Sequence, residues 1–328
     1  MNTATVLLTD FDAKSFKLEE ELYAQAGMRF VTAQCKTEED VIAAARACNA
    51  DGLLIQYAPI TAKVIDALPD LGVCSRIGAG YDTIDAPACQ ARGVWVANSP
   101  DYGVGEVATH ALALALDLIR GVTFHTADIR AGRWHYESNG FRRRAHLMTL
   151  GIVGLGRIGK RMAHVSRDLF KNVVAYDPYL IDGDFPAYVE RVNSLHELFA
   201  RADIVSPHTL LNDETRGMIN AACFSKMKRG SFIVNTSRGA VFNIVDLLDA
   251  LDTGQLDSAG LDVLPVEPAR AGERLTEHPR VVLTPHSAFY SVESEIELRT
   301  KAARNIVTWV NTGKPDYVVA PGTRTFSK

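Results

Sequence analysis

The sequence predicts an α/β protein built on two doubly wound parallel sheets, and three observations point there. Short runs rich in Val, Ile and Leu alternate with amphipathic helical patterns along nearly the whole chain. The alternation occurs in two series, interrupted by one long helical stretch. With 328 residues the chain has the length of about two domains.

In the first series the strands are predicted at Val6–Leu8, Phe30–Thr32, Leu53–Ile55, Val73–Ile77 and Val94–Ala97. Amphipathic segments Leu18–Ala26, Glu38–Cys48 and Ala62–Leu68 lie between them. Strands joined through helices pair in parallel through right-handed crossovers. The stretch from Val104 to Ala131 reads as one long helix. The second series begins at Leu150–Val153 and continues through Val173–Tyr176, Asp203–Ser206, Phe232–Asn235, Ala259–Val263 and Val281–Thr284. These runs are almost wholly apolar, as expected of strands covered on both faces. A last helix, Val292 to Asn311, stops at Gly313. The Arg142–Arg144 cluster reads as a solvated approach to the second series.

Composition narrows the function. Lys and Arg total 35 against 39 Asp and Glu, so no basic excess points to nucleic acid. The five cysteines, 35, 48, 74, 89 and 223, include no C-x-x-C pair, which fits reduced thiols in a cytoplasmic protein and no metal site. Met1 to Asp12 lacks a cationic start before an apolar core, so no secretory leader is expected. The longest apolar stretch, Val107 to Ile119, is broken by His110 and Asp117, and no membrane span is expected.

The strongest local signal is the strand Leu150–Val153 running into Gly154, Gly156 and Gly159, with a helical pattern behind. In such a motif the first glycine makes the tight turn, the second lets a pyrophosphate approach the backbone, and the third lets helix pack on strand. The N–H groups of Arg157 and Ile158 then open the helix with the positive end of its dipole. Asp177 ends the next strand, where a carboxylate accepts hydrogen bonds from ribose hydroxyls and repels the extra phosphate of NADP. The cofactor expected is NAD.

Ligands of open parallel sheets lie beyond the carboxyl ends of the strands. Standing there are Gly78, Ala79 and Tyr81; Thr236, Ser237 and Arg238; Glu267; and His286. This set suits a 2-oxo acid. Arg238 offers a planar fork to carboxylate and carbonyl oxygens. The Gly78 and Ala79 N–H groups can hold the other carboxylate oxygen. His286 can give and take a hydroxyl proton, with Glu267 fixing its tautomer. Each also has a plainer reading: Arg238 as the end of a turn, Glu267 as a solvated loop residue, His286 as one surface histidine among nine. His208 reads either as cofactor wall or as packing.

These residues carry a family resemblance. Arg76–Asp85, Gly151–Gly159, Val234–Gly239, Gly260–Val263 with Glu267-Pro268, and Thr284–His286 resemble the D-isomer-specific 2-hydroxyacid dehydrogenases over nearly the full length. Tyr176–Gly183 and Pro285–Ser291 are similar to the CtBP branch, NAD-binding transcriptional corepressors with a dehydrogenase fold. The resemblance implies two Rossmann-like domains, with the NAD-binding domain, 99–284, inserted into a discontinuous flavodoxin-like substrate domain, 1–98 and 285–328. It implies Arg238 as substrate binder, His286 as acid/base and Glu267 as its partner. It places Asp262 near the nicotinamide amide, and Val107, Thr209, Asn212 and the Thr236–Arg238 turn along the cofactor. It implies a homodimer formed through the region after Ser99. Ala79 stands where the CtBP branch has Ser, Leu210 where many relatives have Pro, and Phe289 where the CtBP branch has a Trp lining the substrate pocket. Glu267 replaces the Gln of the family's formate dehydrogenases, which argues against formate as substrate. The implied reaction interconverts a small D-2-hydroxy acid and its 2-oxo acid. The alternative is an NAD-sensing interaction protein with little or no turnover.

Overall fold

The computed structural model of the chain describes residues 3–140 and 142–327, so the expected domain ends at 1–2 and 328 lie outside the described residues. The chain separates into two compact units, Met1–Tyr102 with Ser291–Lys328, and Gly103–Tyr290.

In the first unit the strands are β1 (Thr5–Leu8), β2 (Arg29–Thr32), β3 (Gly52–Ile55), β4 (Val73–Arg76) and β5 (Trp95–Ala97). They run parallel in the order β2-β1-β3-β4-β5, a doubly wound arrangement. Leu7, Leu53, Ile55, Cys74 and Val96 pack on one face with the helices Glu38–Cys48 and Ala62–Ala67. The opposite face receives the helix Val292–Thr312: the Ser75 hydroxyl donates to Ala302 O at 2.8 Å, and the Trp309 ring closes over Gly72. That helix starts on a reciprocal Ser291–Ser294 cap and ends at Gly313, φ +81°.

The strands of the second unit are β6 (Thr149–Val153), β7 (Asn172–Tyr176), β8 (Glu190–Arg191), β9 (Ile204–Pro207), β10 (Ser231–Asn235), β11 (Leu256–Leu261) and β12 (Val281–Leu283). They too are parallel, in the order β8-β7-β6-β9-β10-β11-β12, which reverses direction between β6 and β9. Alternate residues feed two cores, one on each face. Val153, Val174, Val205 and Ile233 pack on one side, and Ile152, Ala175, Ile204 and Val234 on the other. The α/β class with two parallel sheets is therefore as the sequence predicts.

Several details differ. A short strand, β13 (Val318–Ala320), joins β5 antiparallel, and the two-residue β8 extends the second sheet. Both are too short to carry a period-2 pattern. The strand predicted at Ala259–Val263 begins at Leu256 and ends at Leu261. The single helix expected from Val104 to Ala131 is two helices, Val104–Arg120 and Val122–Arg130, bent by 56°. Gly121 sits at φ +66°, and the Asp117 carboxylate turns back to accept the Thr123 N–H at 2.8 Å, capping the second helix. The Arg142–Arg144 cluster is not simply solvated. Arg142 donates to Leu118 O at 3.2 Å, and Arg143 pairs at 2.7 Å with the buried Asp203. Their straightforward reading failed because those partners lie far away in sequence. Among the described residues no single helix is long and apolar enough to cross a membrane.

Candidate active site

Parallel register aligns the strand ends of the second unit. Val153 pairs with Tyr176 and with Pro207, and Leu261 with Asn235 and Leu283. The residues that follow, Asp177, Gly154, His208, Thr236, Asp262 and Thr284, thus share one edge of one sheet.

At the reversal point β6 passes into the glycine turn. Gly154 takes φ +86°, and a Cβ there would fall 2.8 Å from His208 O. A Cβ on Gly159 would fall 2.2 Å from Gly154 O, so only glycine lets the helix Arg157–Ser166 sit this close to the strand end. A Cβ on Gly156 meets nothing within 4 Å among the described residues, and the Gly156 backbone, φ −69° and ψ −159°, is extended and not left-handed. Gly156 therefore preserves space rather than conformation. The helix behind it opens with Arg157 and Ile158 and carries no acidic residue in its first turn, leaving its positive end uncompensated.

Asp177 accepts Leu155 N–H at 2.8 Å and Tyr179 N–H at 3.0 Å, one on each carboxylate oxygen, which ties it to the glycine turn. Each oxygen keeps a further lone pair for ribose hydroxyls. Two buried hydroxyls at this edge, Thr209 Oγ1 and Thr236 Oγ1, have no hydrogen-bond partner among the described residues. Buried hydroxyls are ordinarily satisfied, so these two call for a polar ligand. An open space above Gly156, an uncapped helix start, a carboxylate at the second strand end and orphaned hydroxyls together fit a dinucleotide.

Other predicted contacts are accounted for differently. Asn212 turns its side-chain oxygen onto Glu214 N–H and Thr215 N–H at 3.1 and 3.0 Å, which leaves only its amide nitrogen to donate outward. Ser237 bonds Asn235 Oδ1 through both N–H and O–H, shaping the Thr236–Arg238 turn. Val107 lies half-buried on the helix Val104–Arg120. His208 Nε2 lies 3.1 Å from Ser206 Oγ, and burial pushes the His208 pKa down to about 4.

Arg238, Glu267 and His286 converge. His286 Nδ1 and Glu267 Oε2 are 2.7 Å apart, and Glu267 Oε1 accepts Leu264 N–H at 2.7 Å. Burial pushes the Glu267 carboxyl up. The hydrogen bond and charge of His286, the Leu264 N–H and the nearby Arg238 guanidinium outweigh it, holding the group below the usual carboxylate range. An ionised carboxylate only accepts, so Nδ1 carries the proton and Nε2 is the working atom.

His286 takes φ +52°, left-handed for a residue with a Cβ, at a cost of about 1–3 kcal/mol. Asp262 holds it there. The His286 N–H donates to Asp262 O at 2.8 Å. Ser287 N–H and Ala288 N–H donate to the two Asp262 carboxylate oxygens at 2.9 and 3.0 Å, and Thr284 O–H donates to Oδ1 at 2.6 Å. Bonds to a charged group contribute about 1.5–3 kcal/mol each, which exceeds the strain. The resemblance placed Asp262 near the nicotinamide; both its carboxylate oxygens are engaged in building this turn.

The remaining predicted residues divide between the units. Phe289 stacks edge-on against Tyr290, with ring centroids 6.4 Å apart, in the second unit. Gly78, Ala79 and Tyr81 follow β4 in the first unit. There the expected pair of amide donors is reduced: Gly78 N–H turns back onto Arg76 O at 3.1 Å, which leaves the Ala79 N–H. Tyr81 is partly buried against the core. Two residues were given no role by the sequence reading: Thr284, present only within the Thr284–His286 segment, and His110, whose only signal was a histidine interrupting the apolar face of a helix.

The fold and the site define a dinucleotide-binding dehydrogenase architecture. The sequence profile "D-isomer specific 2-hydroxyacid dehydrogenase, NAD binding domain" matches residues 112–288, and the chain belongs to this family. It is 36% identical over 259 residues to a D-3-phosphoglycerate dehydrogenase of Mycobacterium leprae, covering 79% of this chain but 49% of that protein. The chain thus spans about half the length of such curated relatives. To a hydroxypyruvate reductase of Blautia hydrogenotrophica it is 32% identical, over 86% of this chain and 88% of that protein. The structure of a glyoxylate reductase from Paecilomyes thermophila superposes with a TM-score of 0.86 at 26% identity, covering 97% of this chain and 99% of that one. These likenesses support the family and its NAD-binding domain; they do not carry the finer resemblance to the CtBP branch.

The two glycines separate function from folding. Gly156→Ala should leave the melting temperature within about 2 °C of wild type and weaken NADH binding at least about tenfold by fluorescence titration. Gly159→Ala should lower stability by about 1–3 kcal/mol in urea. Equal NADH affinity in wild type and Gly156→Ala would refute the assignment.

A neutral, partly buried His208 makes the fold acid-sensitive. Its native pKa of about 4 lies below the unfolded value near 6.5, so its contribution is complete above about pH 6.5 and is lost as pH falls towards 4. His208→Gln should flatten the decline in unfolding free energy between those values. Parallel urea-derived pH profiles for wild type and variant would count against it.

Proposed function

We propose that this protein is an NAD-dependent oxidoreductase interconverting a small D-2-hydroxy acid and its 2-oxo acid, with His286 as acid/base. The observation that carries the reading is the 2.7 Å contact between His286 Nδ1 and Glu267 Oε2, with Arg238 beside the same carboxylate. A nicotinamide cofactor held at the glycine turn would supply the hydride to C2, or take it up in the reverse direction. In reduction the protonated His286 donates from Nε2 to the carbonyl oxygen while Glu267 steadies the cation through Nδ1. In oxidation the neutral Nε2 accepts the hydroxyl proton. Arg238 holds the substrate carboxylate and offsets charge developing on the carbonyl oxygen.

We assign the first unit as the substrate domain, in which the Ala79 N–H and Tyr81 are the groups offered to a substrate; Phe289, in the second unit, is the residue expected beside the substrate side chain. Asp177 favours NAD over NADP. Val122, Ile129, Trp134 and Tyr136, all exposed, concentrate large apolar side chains in residues 122–136, which suits self-association as a homodimer through this region. The phosphoglycerate, hydroxypyruvate and glyoxylate in the relatives' names share one 2-oxo or 2-hydroxy acid head group, which supports the substrate class. A regulatory role of CtBP type is the competing reading; it requires NAD to change assembly without turnover.

The test is NADH oxidation against a panel of 2-oxo acids ranked by kcat/KM, with NADPH as comparison and molecular size measured with and without NAD. His286→Ala should cut kcat by about 10²–10⁴-fold while NADH affinity stays within about threefold. Undiminished turnover in that variant sinks the acid/base assignment. NAD-driven dimerisation with no turnover on any acid would favour the regulatory reading.

A further inference from the structure

We propose that His110 is a positioning residue for this chemistry, acting through Thr284 and Asp262 on the turn that presents His286. The inference rests on the reading of His286 as acid/base. His110 lies on the helix Val104–Arg120 beside the face that buries Ala111, Leu114 and Leu118, with its side chain 25% exposed. An imidazole in such surroundings is poorly accommodated unless its N–H finds a partner. His110 Nε2 lies 2.9 Å from Thr284 Oγ1, which itself lies 2.6 Å from Asp262 Oδ1.

Counting protons fixes the direction of this chain. Asp262 as a carboxylate only accepts, so the single Thr284 hydroxyl proton points to it. The contact with His110 then runs from Nε2–H to Oγ1, which sets the His110 tautomer. A chain of this kind polarises each member and strengthens the next bond. His110 Nε2 also lies 3.6 Å from Asp262 Oδ1. Among the described residues no lysine or arginine comes within ion-pair distance of Asp262, whose side chain is 1% exposed. Among the described residues His110 is therefore the one basic side chain within ion-pair distance of the carboxylate that anchors Ser287, Ala288 and the strained His286.

Removing the imidazole leaves the Thr284 hydroxyl without its donor and loosens the anchor beneath His286. Small displacements of a proton-transfer group carry large kinetic penalties, while cofactor binding at the glycine turn is untouched. His110→Leu should lower kcat on the best 2-oxo acid about ten- to thirtyfold and leave the NADH dissociation constant within about twofold. His110→Gln, whose amide can donate to Thr284 Oγ1, should recover most of that loss. Thr284→Val keeps the shape but cuts the chain. Adding His110→Leu to it should cost no more than Thr284→Val alone, the signature of one shared link.

Wild-type kcat in His110→Leu, additive losses in the double variant, or a Gln variant as impaired as Leu each overturns the inference. Should His110→Leu fail to fold, His110→Gln against His110→Met reads the same link: glutamine, which can donate to Thr284 Oγ1, retains kcat and methionine loses it, and equal rates overturn the proposal. His286→Ala, measured alongside, separates the two layers. If it abolishes turnover while His110→Leu does not, only the positioning role fails. If it leaves turnover intact, the acid/base reading fails and the positioning role falls with it.

Discussion

The buried Asp262 carboxylate organises the candidate site, because His286 stands in a backbone conformation that its own side chain disfavours. Three donors, Thr284 O–H, Ser287 N–H and Ala288 N–H, converge on two oxygens, and together they define the turn after β12. The β11–β12 register brings this about: Leu261 pairs with Leu283, so Asp262 and Thr284 leave the sheet side by side. Once the turn is set, the imidazole meets Glu267, and the carboxylate fixes which nitrogen carries the proton. The Glu267 carboxylate, the His286 imidazole and the nearby Arg238 guanidinium then make up the three groups on which the proposed function rests. The chemistry follows from a packing constraint two residues into the turn, not from the histidine alone.

The cofactor half of the site obeys a different constraint, that of space. Gly154 and Gly159 are required by the fold itself, because side chains there would strike backbone oxygen. Gly156 is not, and the room it leaves lies against a helix with no acidic residue in its own first turn. The orphaned Thr209 and Thr236 hydroxyls extend the same edge. A fold that leaves such groups unsatisfied is completed by a ligand.

Much of this was legible in the sequence, and the reasons are physical. Strands buried on both faces are almost uniformly apolar, so β6, β7, β9 and β10 announce themselves. The glycine spacing encodes a backbone turn directly. Glu267 and His286 were readable because both stand just past strand ends, where an α/β sheet exposes polar groups. What was illegible depended on partners distant in sequence. The bend at Gly121 needs Asp117 to turn back on Thr123, whereas the apolar periodicity runs straight through it. Arg142 and Arg143 looked solvated because Leu118 O and Asp203 belong to other elements. The Gly78 N–H looked available until its local turn closed on Arg76. His110 was visible only as a blemish in an apolar helix, since its meaning depends on Thr284 across the sheet.

The most direct measurement is a crystal structure of the protein with NADH and oxamate, an unreactive stand-in for a 2-oxo acid. The account predicts the oxamate carboxylate on the Arg238 guanidinium and its amide oxygen within hydrogen-bond distance of His286 Nε2, with Nδ1 still on Glu267. Oxamate bound away from Arg238, or His286 rotated so that Nε2 faces elsewhere, would contradict it.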